Sequence, residues 1–201
     1  MGTEESKLKC KDLESLRLDT EFTNEEIKEW YRWCKDFANC PSGRVDMDKF
    51  KIIYSRLFPS GVDDNYVEHV FRSFDTNEDR HVDFREFMIS LSITSRGTLE
   101  QKLEWAFKVY DINGDGFITQ KEMVEVLWAT DKVMNSQNLE EDQARSWTRV
   151  DEIFKHLDTN GDGKLSMTEF VEWSTNDPGI VYELLQINRR SAKYSKNIRI
   201  Q

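Results

Sequence analysis

The sequence predicts an all-α fold built from four helix–loop–helix units arranged in two pairs. Two observations carry this. A twelve-residue loop pattern recurs, from Asp75 to Glu86, Asp111 to Glu122 and Asp158 to Glu169. The same apolar stripe also precedes each loop. Counting back one, four, five and eight residues gives Phe74, Phe71, Val70 and Val67, then Tyr110, Phe107, Ala106 and Leu103, then Leu157, Phe154, Ile153 and Val150. That spacing is one face of a helix, repeated in one register.

The loops have the chemistry of a calcium-binding EF-hand. Ca²⁺ is a hard cation that takes about six to eight oxygen ligands in a loose cage. Short acids and amides at positions 1, 3 and 5 supply side-chain oxygens, position 7 a backbone carbonyl, position 9 a ligand through water, and Glu at position 12 two oxygens. In loop three these are Asp111, Asn113, Asp115, the Phe117 carbonyl, Thr119 and Glu122. In loop four they are Asp158, Asn160, Asp162, the Lys164 carbonyl, Ser166 and Glu169. Gly116 and Gly163 hold position 6, where the chain turns sharply at positive φ. Two full matches make these the firmest sites, with Mg²⁺ able to occupy them at rest. Paired loops of this kind are expected to join through short antiparallel β bridges.

Loop two has every ligand: Asp75, Asn77, Asp79, the His81 carbonyl, Asp83 and Glu86. Its sixth position is Arg80, and a side chain there costs about 1 kcal/mol in a left-handed conformation. Asp83 adds a carboxylate that the other loops lack. Loop two is expected to bind Ca²⁺ still, more weakly.

The same frame placed on Ala38 gives a fourth unit. Its stripe is Phe37, Cys34, Trp33 and Trp30. Position 8 is apolar in all four loops (Val45, Val82, Ile118, Leu165), as is the residue after each loop (Phe50, Phe87, Met123, Phe170). Loop one cannot hold a metal: Ala38 replaces the first acid, Cys40-Pro41 distorts the cage, and Lys49 stands where Glu belongs.

The chain has 201 residues, 33% of them charged, and a net charge of −10, which argues against nucleic acid as a partner. No apolar run approaches the roughly 18 residues of a membrane span. Cys10, Cys34 and Cys40 are odd in number and lack metal or redox spacing, so reduced thiols are expected.

Residues 1–22 form an N-terminal arm. Met1-Gly2 with Ser6 fits N-myristoylation at Gly2, and Lys7, Lys9 and Lys11 could assist a single acyl chain on an anionic surface. The first pair spans 23–91, starting at the capping box Thr23-Asn24-Glu25-Glu26. Its aromatic surplus exceeds what a four-helix lobe needs. It suggests a groove for a helix or fatty acid lined by Trp30, Phe50, Tyr54, Phe58, Phe71 and Phe87, with core packing as the plainer reading. Residues 92–98, including Gly97, connect the lobes. The second pair spans 99–174, with residues 129–147 read as a polar, irregular link. Residues 175–201 hold a last amphipathic helix (Ile180, Val181, Leu184, Leu185, Ile187) and a basic tail, read as solvated rather than lipid-bound.

With these parts in place the chain resembles a neuronal calcium sensor, in the visinin-like, hippocalcin and neurocalcin branch. The matching stretches are Met1-Gly2 with Ser6-Lys7-Leu8, Cys40-Pro41-Ser42-Gly43, Phe84-Arg85-Glu86-Phe87, Ser92-Ile93-Thr94-Ser95-Arg96-Gly97, Glu100-Gln101-Lys102-Leu103 and Asp177-Pro178-Gly179-Ile180-Val181. The resemblance implies a calcium–myristoyl switch. The acyl chain is held in the N-terminal lobe without Ca²⁺, and is extruded when the lobes rotate near Gly97, freeing the groove for a target helix. It also implies a cytoplasmic protein, peripheral on the cytoplasmic face of membranes, that regulates a receptor kinase, guanylate cyclase, channel or lipid kinase. A second copy of the chain, as a dimer, stays among its partners. Arg80, the 129–147 stretch and the tail depart from the family pattern.

Two other readings compete. A cytosolic calcium buffer would need neither acyl chain nor surplus aromatics, and a guanylate cyclase activator differs only in its target. An enzyme is excluded by the scattered His69, His81 and His156 and by the lack of a phosphate-binding loop or nucleophile motif.

Overall fold

The computed structural model describes residues 10–38, 43–57, 64–135 and 139–176. In chain order the elements are α1 (Cys10–Asp19), α2 (Asn24–Ala38), β1 (Arg44–Val45), α3 (Met47–Leu57), α4 (Asp64–Phe74), β2 (Val82–Asp83), α5 (Phe84–Arg96), α6 (Leu99–Tyr110), β3 (Phe117–Thr119), α7 (Gln120–Asn135), α8 (Leu139–Leu157), β4 (Lys164–Ser166) and α9 (Met167–Asn176). β1 pairs with β2 and β3 with β4, both antiparallel. The expected all-α fold of two EF-hand pairs joined by β bridges is the one observed.

The helices start where side chains replace missing backbone partners. At α2, the Thr23 hydroxyl accepts from the Glu26 N–H, and Glu26 accepts from the Thr23 N–H at 3.0 Å. The same reciprocal box links Asp83 with Glu86 at α5 and Thr98 with Gln101 at α6. The register places loop position 8 opposite position 8 in both pairs: Val45 faces Val82, and Ile118 faces Leu165. The frame laid on Ala38 is therefore the frame the backbone uses. Phe37's side chain and Cys40-Pro41 lie outside the described residues.

All twelve stripe residues before loops two, three and four are buried, with Val70 and Leu103 almost fully so. The exposed surface they would otherwise leave to water is the main driving force for each lobe.

The structure adds to the sequence reading in one segment and differs from it in another. Residues 10–19 of the arm are helix. Leu16 is buried, the Thr20 hydroxyl donates to the Leu16 carbonyl at 2.6 Å, and the Glu21 N–H donates to Ser92 Oγ at 2.9 Å. Arg85 bonds Asp19 and donates to Ser15 Oγ at 2.9 Å. The 129–147 link is also largely helical: α7 runs to Asn135 and α8 begins at Leu139.

The lobes meet along α4, α6 and α7. Phe74 packs edge-on against Trp105 with ring centres 6.1 Å apart. Arg72 donates to the Ile112 carbonyl inside loop three. His69, buried, lies with Nε2 3.5 Å from Glu125 Oε1 on α7. At the junction, the Gly97 N–H donates to the carbonyls of Ser92 and Ile93, both at 3.0 Å. A Cβ on Gly97 would sit 2.6 Å from the Ile93 carbonyl oxygen, so only glycine fits this close approach. Among the described residues no helix is long and apolar enough to cross a membrane.

Candidate metal centres

Loops two, three and four carry one donor net. The position-1 carboxylate is gripped by N–H groups of its own loop. Asp75 Oδ2 accepts from Arg80 at 2.8 Å, Asp111 Oδ2 from Gly116 at 2.9 Å and Asp158 Oδ2 from Gly163 at 2.9 Å. The position-3 amide oxygen accepts from the position-5 N–H: Asn77 from Asp79, Asn113 from Asp115 and Asn160 from Asp162. The position-5 carboxylate accepts from the position-7 N–H, so Asp79, Asp115 and Asp162 hold the backbone of His81, Phe117 and Lys164.

The closing glutamate spans each loop. Glu86 Oε1 accepts from the N–H groups of Thr76 and Asn77, and Oε2 from that of Asp83. Glu122 Oε1 accepts from Asn113 and Oε2 from Thr119. Glu169 Oε1 accepts from Asn160 and Oε2 from Ser166. Burial works against Glu169's charge, but the backbone and hydroxyl donors of Ser166, with Thr159 and Asn160, outweigh it and hold the carboxyl below its ordinary range. Glu86 and Glu122 are buried.

Among the described residues no three His, Cys, Asp or Glu side chains close a cage alone. That agrees with the donor set, which also draws on Asn and backbone oxygens. Hard oxygen acceptors of net negative charge, turned inward on a backbone wound around them, fit Ca²⁺.

The structure adds two roles that the ligand pattern hides. Asp83, Thr119 and Ser166 at position 9 cap the exit helices, accepting from the N–H of Glu86, Glu122 and Glu169. The hydroxyls of Thr76 and Thr159 at position 2 donate to the closing glutamates at 3.0 and 3.1 Å. A threonine shared at position 2 of loops two and four was the available signal.

Loop two takes positive φ twice without glycine, at Glu78 (58°) and Arg80 (63°), where loops three and four have Gly114, Gly116, Gly161 and Gly163. The missing glycine at position 6 marks the strain at Arg80, while that at Glu78 shows only in the backbone. In loop one Asp46 caps α3, its Oδ1 accepting from the Lys49 backbone N–H at 3.0 Å.

The aromatic residues expected to line a groove are packed on one another. Phe50 stacks on Tyr54 at 5.9 Å and meets Phe71 edge-on at 5.2 Å, and Trp30 meets Phe87 at 5.8 Å. Trp30, Phe50, Tyr54, Phe71 and Phe87 are all buried, so among the described residues these five form core. A narrow apolar pocket of about 30 Å³ remains beside them, lined by Tyr31, Cys34, Ile53, Val82, Phe84 and Phe87 among others. Phe58 and Gly2 lie outside the described residues.

Helix–loop–helix units paired through position 8, with this donor net in three loops, define an EF-hand calcium-binding protein. Matches to the EF-hand domain pair cover residues 100–175 and 41–94. The chain is 39% identical to S-modulin of Aquarana catesbeiana over 96% of each chain. It is 37% identical to recoverin of Homo sapiens over 96% of this chain and 97% of recoverin. It is 38% identical to neuronal calcium sensor 1 of Lymnaea stagnalis over 92% and 96%. The chain belongs to the neuronal calcium sensor family. It is an EF-hand calcium sensor and not an enzyme.

Proposed function

We propose that the protein binds Ca²⁺ at loops two, three and four through the residues named above, with loop one serving as a structural partner and Mg²⁺ filling sites at rest. Ca²⁺ then drives an acyl switch. Gly2 carries a myristoyl chain that the N-terminal lobe shelters and Ca²⁺ releases, placing the protein on the cytoplasmic face of a membrane. Opening of the lobe turns Trp30, Phe50, Tyr54, Phe58, Phe71 and Phe87 toward a helix of the target. A ligand biases such a two-state element only by binding one state better.

The observation that carries this reading is the common donor net, which leaves loop two equipped like its neighbours despite Arg80. The α1 contacts to α5, the helix that ends at the lobe junction, support a link between arm and metal. Calorimetry on the full chain tests the sites: Glu86→Gln, Glu122→Gln and Glu169→Gln should each remove one bound Ca²⁺. Co-sedimentation of the myristoylated protein with liposomes tests the switch. Binding should require both Ca²⁺ and Gly2, and binding that persists in chelator would refute it.

A further inference from the structure

One difference between loop two and loops three and four lies at an oxygen of the position-5 carboxylate. In loop three Asn113 Nδ2 donates to Asp115 Oδ2 at 3.2 Å, and in loop four Asn160 Nδ2 donates to Asp162 Oδ2 at 3.2 Å. In loop two that oxygen, Asp79 Oδ2, takes the guanidinium of Arg44. Arg44 is position 7 of the ligand-free first loop. The β bridge carries it there, setting its Cα opposite Asp83, a second acid of loop two. The matching cation of the second pair, Lys164, instead lies 3.7 Å over the ring of Phe117.

We infer that Arg44 is a tethered counter-cation that loop one supplies to loop two, lowering loop two's affinity for Ca²⁺. The inference rests on loop two being an ion site. Both Asp79 oxygens are engaged: Oδ1 by the His81 N–H at 3.0 Å, and Oδ2 by a full positive charge. An arriving divalent ion must displace the guanidinium or bind beside it. Like charges in a partly solvated setting repel modestly at contact range, and salt screens the repulsion. A loop without ligands thus still tunes the loop it pairs with, and does so in that loop only.

The test follows the backbone amides of Arg80, Gly116 and Gly163 by NMR during a Ca²⁺ titration of the full chain. Each of these N–H groups donates to the position-1 carboxylate of its own loop, so each reports one site. In Arg44→Gln the Arg80 midpoint should move to about three- to tenfold lower Ca²⁺, with the other two unmoved. Arg44→Lys should keep the wild-type midpoint, and the gap between wild type and Arg44→Gln should narrow in high salt. In Asp79→Asn, which itself weakens the site, adding Arg44→Gln should move the Arg80 midpoint less than it does in the wild type. An Arg80 midpoint that responds to Ca²⁺ but does not move in Arg44→Gln, or equal movement of all three amides, overturns the inference alone. An Arg80 amide that ignores Ca²⁺ in every variant overturns the loop-two site and the inference with it.

Discussion

Val45 and Val82 face each other across the bridge of the first pair, both at loop position 8 and both buried. Loop one has lost its ligands and kept this contact, which ties the two loops' backbones together. Val82→Ala should cost about 2 kcal/mol through the lost methyls and the cavity they leave. Val45→Asp, a charge without a partner, should cost about 3 kcal/mol or more. Urea unfolding in chelator would measure both. Each should also weaken Ca²⁺ binding at loop two while sparing loops three and four.

Arg80 at φ 63° and Glu78 at φ 58° store backbone strain in loop two. Arg80→Gly should raise stability in chelator by about 1 kcal/mol and tighten Ca²⁺ binding at this loop. Arg80→Ala removes the charge but keeps the strain. If the alanine variant gained as much stability as the glycine variant, charge rather than backbone strain would be the cause.

The loops were legible because ligand chemistry fixes residue type at fixed spacing, and the helices before them because burial repeats the apolar stripe. Even the degenerate loop could be framed, since Val45 and Phe50 keep its packing positions. Helix α1 was not legible. Lys11-Asp12-Leu13-Glu14-Ser15-Leu16 has little amphipathic contrast, and its docking depends on Arg85, distant in sequence. The 129–147 stretch misled through polarity. Glu140, Glu141, Gln143, Ala144 and Arg145 are polar or small, yet they are good helix formers. The surplus of aromatics suggested a groove, while edge-on contacts such as Phe50–Phe71 use it as core.

Gly97 should tolerate no side chain. The Cβ of Gly97→Ala would meet the Ile93 carbonyl oxygen at 2.6 Å and Ile93 Cα at 3.0 Å, both backbone atoms that cannot rotate away. A cost of about 1–3 kcal/mol is expected, with a change in the relative orientation of the lobes. Chelator melts would read the first and residual dipolar couplings the second. Wild-type values for both would show that the junction relaxes at no cost.

His69 makes the lobe contact sensitive to acid. Burial lowers its pKa from the ordinary 6.5, and the charge of Arg72 lowers it further, while Glu125 on α7 and Glu68 on its own helix oppose the shift. The unfolded chain therefore takes up this proton at higher pH than the folded one. Above the ordinary value the ring is neutral in both states and costs nothing. As pH falls below 6.5 stability declines, and the decline ends once pH passes the folded pKa. Subtracting the pH profile of His69→Gln from that of the wild type should isolate this slope, free of the carboxylates that titrate lower. Glu125→Gln should lower the folded pKa further and extend the decline to lower pH, as read by NMR titration of the His69 ring. A ring that titrated above 6.5 would mean that Glu125 outweighs burial, and the slope would reverse.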